Sequence, residues 1–296
     1  MATTLQFQAP AHEQAHQFHV RLSQFNSKRL TPALLRPEWQ ENLRSEYAVR
    51  LEEGLFVERE RQQIQRAASE APTQPDAFLR WFEDLREFGS GQNDPLFPWL
   101  GDLATLEEMR WFLTQEAAGE VGFDDLVALT QVRCPVRAKL EMARNYWDEM
   151  GRGHERGMHG PMLSAVVREL DLDPSLDETV WEALAQANLM AALASNRRYA
   201  YQSIGALGAI EMTAPGRVAH INAGLKRLGA PAASRAYFQV HQALDVRHSK
   251  EWNAEVIHSL VEANPGTAAA IAEGALMRLA SGARCFQRYR VHLGLV

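Results

Sequence analysis

His241, Asp245 and His248 stand at positions i, i+4 and i+7 of the segment Tyr237-Phe-Gln-Val-His-Gln-Ala-Leu-Asp-Val-Arg-His. On a helix that spacing puts all three side chains on one stripe, which Trp252 extends. Two imidazoles and a carboxylate on one face can ligate a transition metal that accepts mixed nitrogen and oxygen donors, such as iron or manganese. A polar stripe facing water has the same pattern. Tyr237, Phe238, Val240 and Leu244 nevertheless give this helix apolar faces, so it packs inside something.

Three further segments offer donors. Glu211 follows a stretch, Tyr199 to Ile210, without a single charge. An ionised carboxylate buried there costs several kcal/mol unless it is paired or metal-bound. Arg197, Arg198 or a helix end near Pro215 would serve it equally well, and Gly205 and Gly208 invite close helix packing. Glu149 ends an apolar-aromatic helix and His159 lies ten residues on. A regular helix would hold those two about 80° apart. Gly151, Gly153 and Gly157 imply that the helix unwinds between them and lets them converge. Asp148, His154 and Glu155 are competitors that spacing alone does not eliminate, and a solvated loop is the plain alternative. Glu116 sits one helical turn from Phe112, with Glu120 on the same face as its rival, and solvent exposure would explain both.

The elements that must position these residues are helices. Alternation of period two is absent, and Ala, Leu, Glu and Arg dominate. Residues 1 to about 34 are polar, carry His12, His16 and His19, and read as a solvated region with a loose tail. Pro37 suits the first turn of a helix running to about Ala68, with Leu43, Tyr47, Leu51 and Leu55 inward. A helix from about Asp76 to Phe88 carries Phe78, Trp81, Phe82 and Leu85, and Gly89 to Pro95 reads as a linker. This divides the chain into accessory helices over 1–94 and a main domain over 95–296. Helical patterns then cover roughly 105–120, 123–131, 135–151, 160–170, 177–193, 195–213, 215–228, 232–263 and 267–292, separated by glycine and proline breakers. The fold class is an all-α bundle with an N-terminal helical extension.

Composition narrows the function. Of 296 residues, 46% are hydrophobic and 23% charged, enough for a core without disulfides. A net charge of -6 argues against nucleic acid as a partner. No run approaches the roughly eighteen apolar residues of a membrane span. Residues 1–19 show no leader pattern, and Cys134 and Cys285 suit a reducing compartment, so a cytoplasmic location is expected. No Gly-x-Gly-x-x-Gly or flavin signature is present, so neither flavin nor nicotinamide is expected to bind. Carboxylates and histidines from separate helices describe a di-iron or di-manganese carboxylate site; the ferritin-like version, built on a matched pair of Glu-x-x-His motifs, is not the expected one.

The order of motifs resembles the haem-oxygenase-like di-iron oxidases and oxygenases. Phe-Leu-x-x-Glu, then Asp-Glu-x-Gly-x-Gly with a later His, then Gly-Ala-x-x-x-x-Glu, then His-x3-Asp-x2-His run over about residues 100 to 292. The resemblance implies a haem-oxygenase-like helical bundle in which Glu149, His159, Glu211, His241, Asp245 and His248 hold two Fe(II) ions. It implies no haem. It also implies dioxygen as co-substrate, reduced to a peroxide at the iron pair, and a separate electron donor. Members of that family either desaturate or cleave carbon chains of fatty and amino acids, or oxygenate nitrogen. The second group resembles this chain in an additional glutamate before the Asp-Glu motif, a place taken by Glu116, or by Glu120. Oxygenation of a small amine, guanidine or amino-heterocycle to hydroxylamine, nitroso or nitro products is therefore the leading expectation. Carbon–carbon cleavage or desaturation is the alternative, and a helical interaction protein the non-enzymatic one. Tyr146, Trp147, Tyr201, Gln202 and Phe238 neighbour the candidate ligands in sequence and are expected to line a small-molecule pocket. The apolar surface of the first two helices suggests a homodimer.

Overall fold

The computed structural model describes residues 12–35, 37–120 and 122–296. They form thirteen α-helices in chain order: α1 (His12–Leu30), α2 (Trp39–Ser69), α3 (Pro75–Phe88), α4 (Leu96–Asp102), α5 (Leu106–Ala118), α6 (Phe123–Thr130), α7 (Val136–Glu149), α8 (His159–Glu169), α9 (Trp181–Ser195), α10 (Ala200–Arg227), α11 (Ala232–Glu251), α12 (Ser259–Ala263) and α13 (Ala268–His292). A π-helical turn, Trp252–His258, joins α11 to α12. Among the described residues no strand forms, so the all-α bundle expected from the sequence is the observed architecture.

The long helix α10 is the axis of the bundle, packed against α4, α11 and α13. Its approach to α13 is backbone to backbone: a Cβ on Gly205 would lie 1.9 Å from the Ile271 carbonyl oxygen, and one on Gly274 1.7 Å from that of Gln202. Two buried apolar clusters flank this axis. One joins α2 and α3 to α9, α10 and α13 through Phe56, Phe78, Phe82, Leu189, Ile204 and Ile271. The other joins α4, α5, α8, α11 and α13 through Leu100, Phe112, Val166, Phe238 and Tyr289.

Several sequence expectations need correcting. Residues 12–30 are the helix α1, not a loose tail; residues 1–11 of that tail lie outside the described residues. Its inward positions are Ala15, His19, Leu22 and Asn26, so half of the buried stripe is polar and the apolar period is diluted. Those polar groups are satisfied: Asn26 Nδ2 donates to Asn188 Oδ1 at 2.9 Å, and Asn188 Nδ2 donates to the His19 carbonyl at 3.0 Å. In α2 the stripe Leu43, Tyr47, Leu51 and Leu55 faces outward, each residue more than half exposed. The face turned inward carries Phe56 and Val57 with Glu53 and Glu60, which pair with Arg29 and Arg284 at 2.8 and 2.7 Å. Ion pairs thus hold the side that a purely apolar reading assigns to solvent.

Pro215 does not end a helix; α10 runs through it unbroken to Arg227. Proline removes one backbone donor there, but packing against three neighbouring helices keeps the helix continuous. The short α4, with Leu96, Phe97 and Leu100 buried, is an element that the sequence pattern did not announce.

Candidate metal centre

The site lies where α7, α8, α10 and α11 meet. Glu149 is the last residue of α7 and His159 the first of α8. Between them the chain makes two 3-10 turns and closes on itself through an isolated antiparallel bridge between Met150 and Met158. Gly151 (φ +59°) and Gly153 (φ +83°) supply left-handed backbone that suits glycine, and Arg152 between them adopts it as well (φ 53°). A Cβ on Gly151 would lie 2.4 Å from the backbone carbon of Gly157, so the loop closes this tightly only without a side chain there. The result is a contact of 2.5 Å between His159 Nδ1 and Glu149 Oε2.

α10 contributes Glu211, which is buried; Asn145 Nδ2 from α7 donates to its Oε1 at 2.5 Å. α11 contributes the stripe of His241, Asp245 and His248. The rings of His159 and His241 lie 4.3 Å apart, and His248 Nδ1 is 3.6 Å from Glu211 Oε2. Two groups of donor atoms emerge, each lying within 4.8 Å of one another: Glu149, His159 and His241, and Glu149, Glu211 and His248. Glu149 belongs to both. Asp245 is buried beside them without joining either group.

Two imidazoles are oriented from behind. His241 Nδ1 donates to the Tyr237 carbonyl at 2.7 Å, one turn back on its own helix, which leaves Nε2 as the free donor atom. His248 Nε2 donates to Asp148 Oδ2 at 3.0 Å, which leaves Nδ1 facing Glu211. Such outer hydrogen bonds fix the tautomer and aim of metal-binding histidines. Asp148 is itself held by Arg152 Nε at 2.6 Å and by Arg247.

The electrostatics of the cluster call for a cation. Burial pushes the Glu149 carboxyl well up, and the Glu211 charge adds to the rise. Asp245 is pushed up to about 10 by burial, then by Glu211 and Glu149. His159 is pulled down to about 4 by burial and then by His248; His241 goes down to about 4 by burial and then by His159. Burial alone would lower His248 too, but Glu211 and Asp148 raise it to about 9. His159 Nδ1 and His248 Nδ1 are both buried and face carboxylates, Glu149 and Glu211 respectively. Imidazole nitrogens crowded by carboxylates form a donor set that fits iron.

The structure does not gather every candidate. Glu116 Oε1 accepts from the Tyr289 hydroxyl at 2.8 Å and lies outside both donor groups; Glu120 accepts from the Gly122 amide at 2.9 Å and is also outside them. Of the expected pocket residues, Trp147 is about half exposed and Tyr201 somewhat less, and Tyr146 is partly buried against the core. Gln202 donates to Glu273 Oε2 at 2.8 Å, and Phe238 is buried in the second apolar cluster. None of the five lines the cavity of about 540 Å³ or the one of about 1030 Å³. Asn145 is a site residue that sequence reasoning did not assign, and Asp148, weighed there as a competing ligand, instead orients His248. Asn145 had a usable signal, one helical turn before Glu149 on the same face.

Residues 110–283 match the model of the family described as iron-containing redox enzymes of the haem-oxygenase type. The chain belongs to this family. All six cluster residues fall inside the matched stretch, and its helical bundle is the haem-oxygenase-like fold. The chain is thus an iron-containing redox enzyme by family, and its two buried glutamate–histidine clusters are compatible with iron binding. No curated protein matches it. No helix among the described residues is long and apolar enough to cross a membrane.

Proposed function

We propose that this iron-containing redox enzyme is a non-haem di-iron oxygenase acting on the nitrogen of a small amine, guanidine or amino-heterocycle. The observation that carries the di-iron reading is Glu149, which belongs to both donor groups and can therefore bridge two cations. His159 and His241 would serve one cation, and Glu211 and His248 the other. Asp245 would add a third carboxylate to offset the metal charge. An iron pair held here supplies the electrons that reduce dioxygen.

The protein's own share of the work is positioning. Asp148 and the Tyr237 carbonyl orient two imidazoles, turning His248 Nδ1 and His241 Nε2 toward the site. Asn145 holds Glu211 against rotation. Trp252, fully buried with its Nε1 donating to the Ile204 carbonyl at 3.2 Å, ties the end of α11 to α10. Electrons for repeated turnover come from a separate donor, and the enzyme works in the cytoplasm.

A second reading has a specific observation behind it. Glu116, the residue that would link the chain to nitrogen-oxygenating relatives, bonds Tyr289 and stands apart from the cluster. Oxidative cleavage or desaturation of a fatty or amino acid on the same six residues is then the competing reaction. Anaerobic reconstitution with ferrous iron, followed by exposure to oxygen with panels of amines and carboxylic acids, separates the two. Hydroxylamine or nitroso products support nitrogen oxygenation, and alkenes support the second reading. A protein that takes up no iron removes both.

A further inference from the structure

A cavity of about 540 Å³ opens between the α3–α4 segment, α10, α11 and the π-helical turn. Its volume suits a small organic molecule. Phe97, Pro98, Met212 and Val246 give it apolar walls. Met212 and Val246 follow Glu211 and Asp245 in sequence, yet none of the six metal-cluster residues lines it. The cavity thus sits around the side of α10 and α11 from the cluster.

The feature that points to a ligand is Arg217. Its guanidinium lies over the rings of Phe97 and Phe286, at 5.8 and 5.1 Å from their centroids, and its Nη2 donates to Thr213 Oγ1 at 2.5 Å. Among the described residues it forms no ion pair. Two carboxylates act on it electrostatically without pairing with it: Asp94, which pairs with Arg290, and Glu116, which accepts from the Tyr289 hydroxyl. Burial first, then repulsion from Arg278, draw its pKa down to about 9 against the pull of Glu116 and Asp94. A half-buried guanidinium with no carboxylate in direct contact is under-compensated, and an anion entering the cavity would supply the missing partner. Arg86 and Lys250 line the same space. Of the acids that also line it, Asp94 is neutralised by Arg290, and Glu83 accepts from Asn253 at 3.4 Å.

We propose that this cavity binds a small organic carboxylate, whose carboxyl group pairs with Arg217 and whose apolar part lies against Phe97, Met212 and Val246. Arginine is the side chain suited to that grip, because its planar fork matches a carboxylate with two parallel hydrogen bonds. The site stands on its own geometry and does not depend on the iron chemistry.

Calorimetric titration of octanoate into the full-length protein, iron-loaded and after chelation, tests this, with octan-1-ol and octylamine as neutral and cationic probes of matched length. Saturable binding of octanoate alone, with or without iron, is expected. Arg217→Gln should weaken it at least about tenfold. Val246→Trp, which fills the cavity from a half-exposed position, should weaken it comparably and carries the test should Arg217→Gln fail to fold. His241→Ala should leave it unchanged. No saturable octanoate binding, binding equal to that of octanol, or binding untouched by Val246→Trp would overturn the proposal. So would binding lost in His241→Ala, which would place the anion at the metal cluster.

Discussion

Glu149 and His159, ten residues apart on two different helices, meet at 2.5 Å because a glycine-rich loop folds Met158 back onto Met150. The cluster depends on that closure, since Glu149 is common to both donor groups.

Gly151→Ala tests the closure. The added methyl meets the Gly157 backbone at 2.4 Å, and the residue must hold a left-handed φ. We expect a loss of about 1–3 kcal/mol in stability and at least about tenfold weaker iron binding. Thermal melting and iron titration read the two effects. A variant with native iron affinity would show that the loop does not set the site.

Asp148 positions His248 rather than joining a donor group. Asp148→Asn should weaken iron binding by roughly 10- to 100-fold while leaving the circular dichroism spectrum unchanged. Unaltered affinity would mean that Asp148 serves only Arg152 and Arg247.

The metal-free protein should lose stability as pH rises from about 7 to 10. Glu149 and Asp245 have raised folded-state pKa values, so the folded protein keeps protons that the unfolded chain releases. His248, raised to about 9, stabilises below its ordinary 6.5 and ceases to do so as pH passes 9. His159 and His241 shift downward to about 4 and are neutral in both states above about pH 7, so they do not oppose this slope. Melting temperatures of chelated protein across this range check the sign. Iron-loaded protein should show a flatter profile, because its ligands have already given up their protons. A flat or rising profile without metal would contradict the burial of these carboxylates.

The outward stripe of α2, formed by Trp39, Leu43, Tyr47, Leu51 and Leu55, is a contiguous run of large apolar side chains, each more than half exposed. Such stripes mark interaction surfaces, and a second copy of the chain is the partner we expect. Sedimentation should show a dimer that Leu43→Glu with Leu51→Glu converts to a monomer. A wild-type monomer at micromolar concentration would exclude this.

The bundle and the His241–Asp245–His248 stripe were legible because both rest on helical periodicity, which the sequence carries locally. What brings Glu149 to His159 was legible only as a glycine-rich break; the closure itself depends on non-helical backbone and a long-range bridge. The inward face of α2 was misread because Glu53 and Glu60 are buried through arginines more than twenty residues away, which no local pattern records. Glu116 shows the same limit: its partner Tyr289 lies at the far end of the chain. Sequence neighbourhood alone does not assign pocket residues, because adjacent residues on a helix point about 100° apart.

The most direct test is an anomalous difference map at the iron edge from crystals grown with ferrous iron. Two peaks sharing Glu149 are expected, one beside His159 and His241, the other beside Glu211 and His248. A cluster with no peak, or a single ion distant from Glu149, would contradict that arrangement.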